Sequence, residues 1–142
     1  MTVITRYQKR IAETILQYRP DINPATKNEA LISAVSLNRI GFVRIFLQNN
    51  TNINMKSTDQ YEEGETALIM AAKHKYYNGE TPEKTEIVKL LLENGADVNV
   101  KDDVGKTALD YAKQNGFNEV YELLKSKLGI WKRFTIFWDS IF

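Results

Sequence analysis

Residues 86–99 read Glu86-Ile-Val-Lys-Leu-Leu-Leu-Glu-Asn-Gly-Ala-Asp-Val-Asn99 and contain both a helix and the signal that ends it. Their apolar side chains recur at helical spacing, which predicts an amphipathic helix with one buried face. Asn94 and Gly95 follow directly, and glycine readily adopts the left-handed conformation that ends helices. The segment therefore predicts a helix, a stop and a turn into the loop that begins near Asp97.

The same ending occurs three times in the chain. Its copies are Ile15-Leu-Gln-Tyr-Arg-Pro-Asp-Ile-Asn23, Phe46-Leu-Gln-Asn-Asn-Thr-Asn-Ile-Asn54 and Leu91-Leu-Glu-Asn-Gly-Ala-Asp-Val-Asn99. An opening sequence occurs as Gly64-Glu-Thr-Ala-Leu68 and Gly105-Lys-Thr-Ala-Leu109, with a weaker copy at Asn28-Glu-Ala-Leu31. Each unit contains two short helices and a loop. Such a unit cannot bury its apolar face alone, so we expect neighbouring units to stack.

These segments resemble ankyrin repeats, which combine a G-x-T-P-L-H opening, an E-I-V-x-L-L-L second helix and a G-A-D-V-N ending. The resemblance implies an all-α solenoid of antiparallel helix pairs joined by hairpin-like loops. It divides the chain into a repeat domain, 1–128, and an aromatic C-terminal helix, 129–142. Within the domain we expect an N-terminal capping helix at 1–23 and repeats at 24–57, 58–101 and 102–128.

Two turn positions depart from the glycine that other repeats carry. Asn38 stands where the third repeat has Gly116, and Asn50 stands where the second has Gly95. Asparagine visits the left-handed region more readily than other residues with a side chain, so we expect both turns to survive.

The composition excludes several kinds of site. The 142 residues carry a net charge of +1, which does not support bulk electrostatic binding to nucleic acid. There is no cysteine and one histidine, which excludes disulfides, thiolate metal sites and paired-histidine sites. Glu65 and Asp102 belong to acidic clusters on loops, where nothing suggests a dry pocket. We therefore expect a protein that is not an enzyme and that holds no cofactor and no metal.

No targeting signal is visible at the N-terminus, and the longest apolar run, Ala67 to Ala72, is too short to span a bilayer. The sequence therefore predicts a cytoplasmic protein, which we expect to be a monomer. It is rich in Lys, Ile and Asn, a bias typical of AT-rich genomes. A bacterial effector delivered into a host cytosol is thus an open alternative.

Two insertions distinguish the second repeat. The segment between its helices is eight residues longer than in the third repeat, and the loop before it is four residues longer. Thr81, Pro82 and Glu83 form a typical helix start, so we predict that both helices of this repeat are about one turn longer than their neighbours. The extended ends would display Tyr76 and Tyr77. These tyrosines either anchor a partner or pack the two helices together.

In the family, hairpin-like loops stand beside a concave groove lined by the first helix of each repeat. The resemblance therefore implies a non-catalytic adaptor or scaffold that binds another protein at these places. The contact residues carried over by position, with those of the insertions, are Tyr61, Glu62, Lys73, His74, Tyr76, Tyr77, Val104, Lys106, Gln114 and Asn115. Asn99 also resembles the family asparagine that asparaginyl hydroxylases modify.

The C-terminal segment is strongly aromatic. It contains Trp131, Phe134, Phe137 and Trp138, which fit one face of a helix. An apolar face of this kind rarely stays in water, so we consider three roles. The segment covers the last repeat, lies on a membrane surface beside Lys132 and Arg133, or docks on a partner or a second copy of the chain.

Overall fold

The computed structural model describes residues 3–18, 21–60, 64–73 and 80–128. Several predicted contacts lie outside these ranges: Tyr61, Glu62, His74, Tyr76, Tyr77 and the whole segment 129–142. The described residues form helices α1 Val3–Tyr18, α2 Pro24–Ser36, α3 Ile40–Gln48, α4 Ala67–Lys73, α5 Pro82–Glu93, α6 Ala108–Asn115 and α7 at 118–128. None of the described residues is in a β-strand.

The helices are arranged in two rows. The first helices of the repeats, α2, α4 and α6, pack side by side, and so do the second helices α3 and α5. Helices α2 and α3 form one antiparallel pair, and α4 and α5 form the next. Helix α1 packs against α3, so it extends the row of second helices at the N-terminal end. This is the all-α solenoid that the sequence predicts, while the exact boundaries between repeats stay a prediction.

Helix α4 lies at the centre of the core, since it packs against α2, α5 and α6. Six consecutive residues of α4 are almost completely buried: Ala67, Leu68, Ile69, Met70, Ala71 and Ala72. Three of these are alanines, whose small side chains allow neighbouring helices to approach closely. One continuous apolar cluster runs from Leu31 in α2 to Leu124 in α7 and joins all three repeats.

Local signals in the sequence set the helix ends. Thr81 caps α5 by accepting a hydrogen bond from Lys84 N, and Pro82 occupies the first turn. Thr107 and Asp110 form a reciprocal capping box at the start of α6. Asn38 and Asn50 have φ values of 56° and 54°. The predicted left-handed turns at both asparagines are confirmed.

Helix α5 is longer at its start, as predicted. Helix α3 begins two residues before Phe42 and α7 begins two before the equivalent Val120, whereas α5 begins five before the equivalent Ile87. The extra three residues are nearly one helical turn. In α4 the described residues end at Lys73, so the predicted extension of that helix lies outside them.

The last repeat differs from the other two on the side that would meet a further repeat. Equivalent positions in the first two repeats hold buried apolar residues, namely Ile32 and Val35 in α2 and Ile69 and Ala72 in α4. In α6 these positions hold Asp110 and Lys113, and both are exposed. The stack therefore ends in a polar helix, as terminal repeats generally do.

Candidate functional site

Two loops project between successive repeats, and both are closed in the same way. The first finger is defined as residues 49–66, of which 61–63 are not described, and the second finger as residues 94–107. Ser57 N donates to Glu65 O at 2.7 Å in the first finger, and Asp102 N donates to Lys106 O at 2.9 Å in the second. Each finger is thus a hairpin-like loop closed by a backbone hydrogen bond, as the resemblance implies.

The fingers are tied to each other by an asparagine that the repeat pattern contains. The Asn54 side chain donates to Gly95 O at 3.1 Å and accepts from Asp97 N at 2.7 Å. Lys56 Nζ also lies 4.0 Å from Asp103 Oδ1. Both contacts span neighbouring repeats, so the fingers hold a fixed spacing.

The first finger is also fastened to α2. The Glu29 carboxylate accepts from Thr58 N at 2.7 Å and from Ser57 Oγ at 2.9 Å. The Asn28 side chain donates to Met55 O at 3.0 Å. These contacts fix the backbone of the first finger, although a surface loop would be expected to be flexible.

Five side chains meet where the fingers join the first helices. We call them the Tyr111 cluster: Glu65, Lys73, Asp102, Lys106 and Tyr111. The Lys73 ammonium pairs with the buried Glu65 carboxylate and lies 5.5 Å from the centre of the Tyr111 ring. The Lys106 Nζ is also 5.5 Å from the centre of this ring, while the Tyr111 hydroxyl donates to Asp102 Oδ2. The cluster therefore links both fingers to α4 and α6.

The sequence suggests no dry pocket at Glu65 and Asp102, but the structure buries both residues. Glu65 is 1% exposed and Asp102 is 4% exposed. Burial acts to raise the pKa of Asp102, but the opposing effects outweigh it. Hydrogen bonds from Tyr111, Lys106 N and Val104 N, together with the charge of Lys73, hold that pKa below its ordinary value.

Three predicted contact residues remain available at the surface. Val104 is 57% exposed at the tip of the second finger. Lys106 and Gln114 are also exposed, and the Lys106 ammonium donates to Gln114 Oε1 at 3.2 Å. Lys73 lies beside them at the Tyr111 ring and is partly buried. The structure thus brings Lys73, Val104, Lys106 and Gln114 to one side of the stack.

Asn115, also predicted as a contact, forms hydrogen bonds between α6 and α4. Its side-chain amide donates to Ala72 O at 2.9 Å and to Lys73 O at 3.0 Å. Both acceptors belong to the last residues of α4 that the structure describes. Asn115 therefore fastens α6 to α4. Asn99 is exposed, and its backbone N–H donates to Asp97 Oδ1 at 2.9 Å.

The chain that returns from the large insertion is anchored to the third repeat. Glu80 Oε1 accepts from Val120 N at 2.8 Å, at the start of α7. Lys84 is buried, donates to Ala71 O at 3.2 Å and lies 4.9 Å from the centre of the Phe117 ring. Burial lowers the pKa of Lys84, and the nearby Glu80 charge opposes this. The chain therefore rejoins the stack at a fixed point after the insertion.

Sequence reasoning missed three members of the Tyr111 cluster: Glu65, Asp102 and Tyr111. Each occupies a regular position in its repeat, so the sequence gives no sign that the three converge. Among the described residues there is no group of three or more potential metal ligands. The cluster carboxylates bind Lys73, Tyr111 and the finger backbone. This arrangement holds the fingers in a fixed position against α4 and α6.

A family model described as "Ankyrin repeats (3 copies)" matches the chain over residues 1–102 and 55–133. The chain therefore belongs to the ankyrin-repeat family.

Two relatives and one solved structure show how far this likeness extends. YahD of Escherichia coli (strain K12), named as an ankyrin repeat protein, is 34% identical over 112 residues, which are 78% of this chain and 53% of YahD. Alpha-latrotoxin-Lg1a of Latrodectus geometricus is 27% identical over 135 residues, 92% of this chain and 9% of the toxin. The crystal structure of EF0377, an ankyrin repeat protein, is 37% identical with a TM-score of 0.58, and the match covers 67% of this chain and 45% of that one. The chain thus spans about half or less of these proteins.

Proposed function

We propose that this chain is a non-catalytic module that binds a partner protein on the side formed by the fingers and the first helices. Ankyrin repeats are in general protein–protein interaction modules, and the family is in general non-catalytic. The adaptor or scaffold role of this chain goes beyond that general statement and is our proposal.

One observation carries the proposal. Lys73, Lys106 and Gln114, predicted as contacts from three separate parts of the sequence, form a continuous surface around Tyr111. The backbone beneath this surface is held by the Asn54 bridge between the fingers and by the Tyr111 cluster. A preformed surface loses little conformational entropy on binding, which favours affinity.

The chemistry of the surface suggests a mixed contact. Val104 offers an exposed apolar tip, while Lys106 and Gln114 offer polar groups beside it. Interfaces commonly combine a small apolar centre with a polar rim. Tyr61, Glu62, His74, Tyr76 and Tyr77 belong to the two insertions, lie outside the described residues and stay predicted contacts.

The test compares partner capture by the wild type and by a double variant, Val104→Asp with Gln114→Ala. Both side chains are exposed, so we expect the fold to be retained and affinity for a captured partner to fall roughly tenfold or more. The matched control is Lys89→Ala with Glu93→Ala, two exposed positions on α5 in the other row of helices. Capture and isothermal titration with the identified partner measure the effect.

Two outcomes distinguish binding by the fingers from binding elsewhere on the chain. A partner that binds the control variant normally and the Val104 variant weakly supports recognition by the fingers. A partner that binds the Val104 variant as well as the wild type would overturn this proposal and place recognition elsewhere on the chain.

A further inference from the structure

The Tyr111 cluster divides its charges between the interior and the surface. Its two carboxylates, those of Glu65 and Asp102, are almost completely buried. Its two ammonium groups are more accessible, since the Lys73 side chain is 32% exposed and Lys106 is an exposed residue. The formal charges of the cluster cancel, but a molecule that approaches from solvent meets the cations rather than the carboxylates.

The two lysines of the cluster differ in the partner that their own repeat provides. Lys73 follows Glu65 by eight residues and pairs with its carboxylate. At the equivalent positions of the third repeat, the Lys106 ammonium donates to the neutral amide oxygen of Gln114 at 3.2 Å. Within the described part of the chain, no ion pair neutralises the Lys106 ammonium. The third repeat therefore presents a cation at a place where the second repeat has a complete ion pair.

An apolar side chain lies on the same turn as this cation. Val104 is 57% exposed and precedes Lys106 by two residues. The buried Asp102 carboxylate accepts from Val104 N at 3.1 Å and from Lys106 N at 2.9 Å. Because one side chain holds the backbone of both residues, the turn presents an apolar group and a cation at a fixed spacing.

The exposed carboxylates beside this turn already have partners within the chain. Asp103 Oδ1 lies 4.0 Å from Lys56 Nζ of the first finger. Asp110 accepts from Thr107 N at 2.9 Å in the capping box at the start of α6. A carboxylate from outside the chain could therefore approach Lys106 without displacing an ion pair of that lysine. Complementary charge of this kind favours one class of partner over others.

We propose that the partner bound by the fingers presents an acidic peptide segment in which a carboxylate stands next to an apolar side chain. The carboxylate binds the Lys106 ammonium beside the Tyr111 ring, and the apolar side chain packs on Val104. The attraction of the opposite charges also speeds association. This inference rests on the proposed function and adds the chemical class of the partner.

The experiment starts from a library of short random peptides displayed on phage and selected on the immobilised full chain. Peptides that bind the wild type and not the Val104→Ser variant are assigned to the second finger. We expect these peptides to contain Asp or Glu next to an apolar residue. Their affinity should fall as the salt concentration rises, because salt screens the attraction between charges.

A double-mutant cycle then tests the contact with Lys106. One selected peptide is synthesised in its acidic form and in an amide form, in which each acidic residue is replaced by its amide. Lys106→Gln should weaken the acidic form about fivefold, the upper range for an exposed ion pair, and leave the amide form unchanged. Fluorescence anisotropy measures the affinities, and circular dichroism verifies that the variant is folded. The matched control, Lys89→Gln, makes the same change at an exposed position of α5 and should affect neither form.

Three outcomes would overturn the inference. Peptides that require Val104 but carry no acidic residue would show that the fingers bind a partner of different chemistry, and the proposed function would stand. Equal weakening of the acidic and amide forms by Lys106→Gln would show that Lys106 does not recognise a carboxylate. A selection that gives no peptide dependent on Val104 would contradict the proposed function together with this inference.

Discussion

At Asp102 the cost of removing a carboxylate from water is offset by three hydrogen bonds and by a nearby ammonium group. The donors are the Tyr111 hydroxyl and the backbone N–H groups of Val104 and Lys106. Hydrogen bonds to a charged group are each worth about 1.5–3 kcal/mol. A single side chain thus fixes both the second finger and its position on α6.

This arrangement predicts a specific dependence of stability on pH. The pKa of Asp102 lies below 3.8 in the folded chain, so its carboxylate stabilises the fold above that pH, and this contribution is lost as the pH falls through the lowered pKa. We expect Asp102→Asn to lower the free energy of unfolding by about 1–3 kcal/mol at neutral pH. The gap to the wild type should narrow below about pH 4, as measured by urea denaturation across a pH series.

Asp103→Asn provides the control for Asp102→Asn. Asp103 is the next residue, and its exposed side chain makes a 4.0 Å contact with Lys56. Exposed ion pairs contribute about 0–1 kcal/mol, so this variant should stay close to the wild type. A gap between Asp102→Asn and the wild type that is equal at neutral and acid pH would contradict the role assigned to the Asp102 charge.

At the scale of single residues, the backbone conformation of two asparagines could be predicted from the sequence, but the burial of two carboxylates could not. Asn38 and Asn50 could be predicted as left-handed because that preference belongs to the residue itself. The burial of Glu65 and Asp102 depends on Lys73 and Tyr111, which arrive from other elements. A sequence gives no distance between such residues, so it shows no dry pocket around a loop carboxylate.

At the scale of elements, helix ends can be predicted from local sequence signals. Thr81 and Pro82 predict the early start of α5, and the structure confirms it. In the last described turn of α4, backbone carbonyls are bound by side chains from other elements, since Asn115 donates to Ala72 O and Lys84 donates to Ala71 O. The predicted contact role of Asn115 came from its position in the family pattern, which does not show its hydrogen bonds.

A pair of glycines provides a matched test of element geometry. Gly116 has a φ of 70° at the end of α6, whereas Gly41 lies within α3, and an added methyl group meets no atom within 4 Å at either site. Gly116→Ala should cost about 1–2 kcal/mol because of its left-handed backbone. Gly41→Ala should instead stabilise the chain by about 0.5–1 kcal/mol, because alanine is the better helix former. Chemical denaturation gives both values.

The sign of the two changes is what matters in this test. Since neither methyl group clashes with a neighbour, a difference between the variants reports backbone conformation alone. Destabilisation by Gly41→Ala, or stabilisation by Gly116→Ala, would contradict the assignment of these two positions.

For the whole molecule, the repeats are coupled through the core and through the loops. The continuous apolar cluster joins the helices, and the Asn54 amide joins the two fingers through Gly95 O and Asp97 N. Sequence comparison within the chain identified Asn54 as part of a repeated ending. It could not show that the side chain bridges repeats, because the partners are backbone groups of the next unit.

The Asn54 bridge predicts that replacing Asn54 destabilises the chain more than replacing Asn99, which occupies the equivalent position in the next repeat. Asn54→Ala removes two hydrogen bonds and should lower the free energy of unfolding by about 1–3 kcal/mol. Asn99→Ala alters the same repeat position, but no hydrogen bond joins the Asn99 side chain to another described residue, so we expect a smaller loss. Thermal unfolding followed by circular dichroism compares the two, and equal losses would argue against the bridging role of Asn54.

The polar side of α6, formed by Asp110 and Lys113, determines where further repeats can be added to this protein. A fourth repeat fused after α7 would cover Asp110 and Lys113, two charges that face water in the present chain. A longer array is therefore better built by duplicating the unit between α2 and α5, where equivalent positions are already apolar. Growth at the C-terminal end would first require Asp110→Ile and Lys113→Ala. For protein engineers, the two charges mark which junction of this array accepts new units.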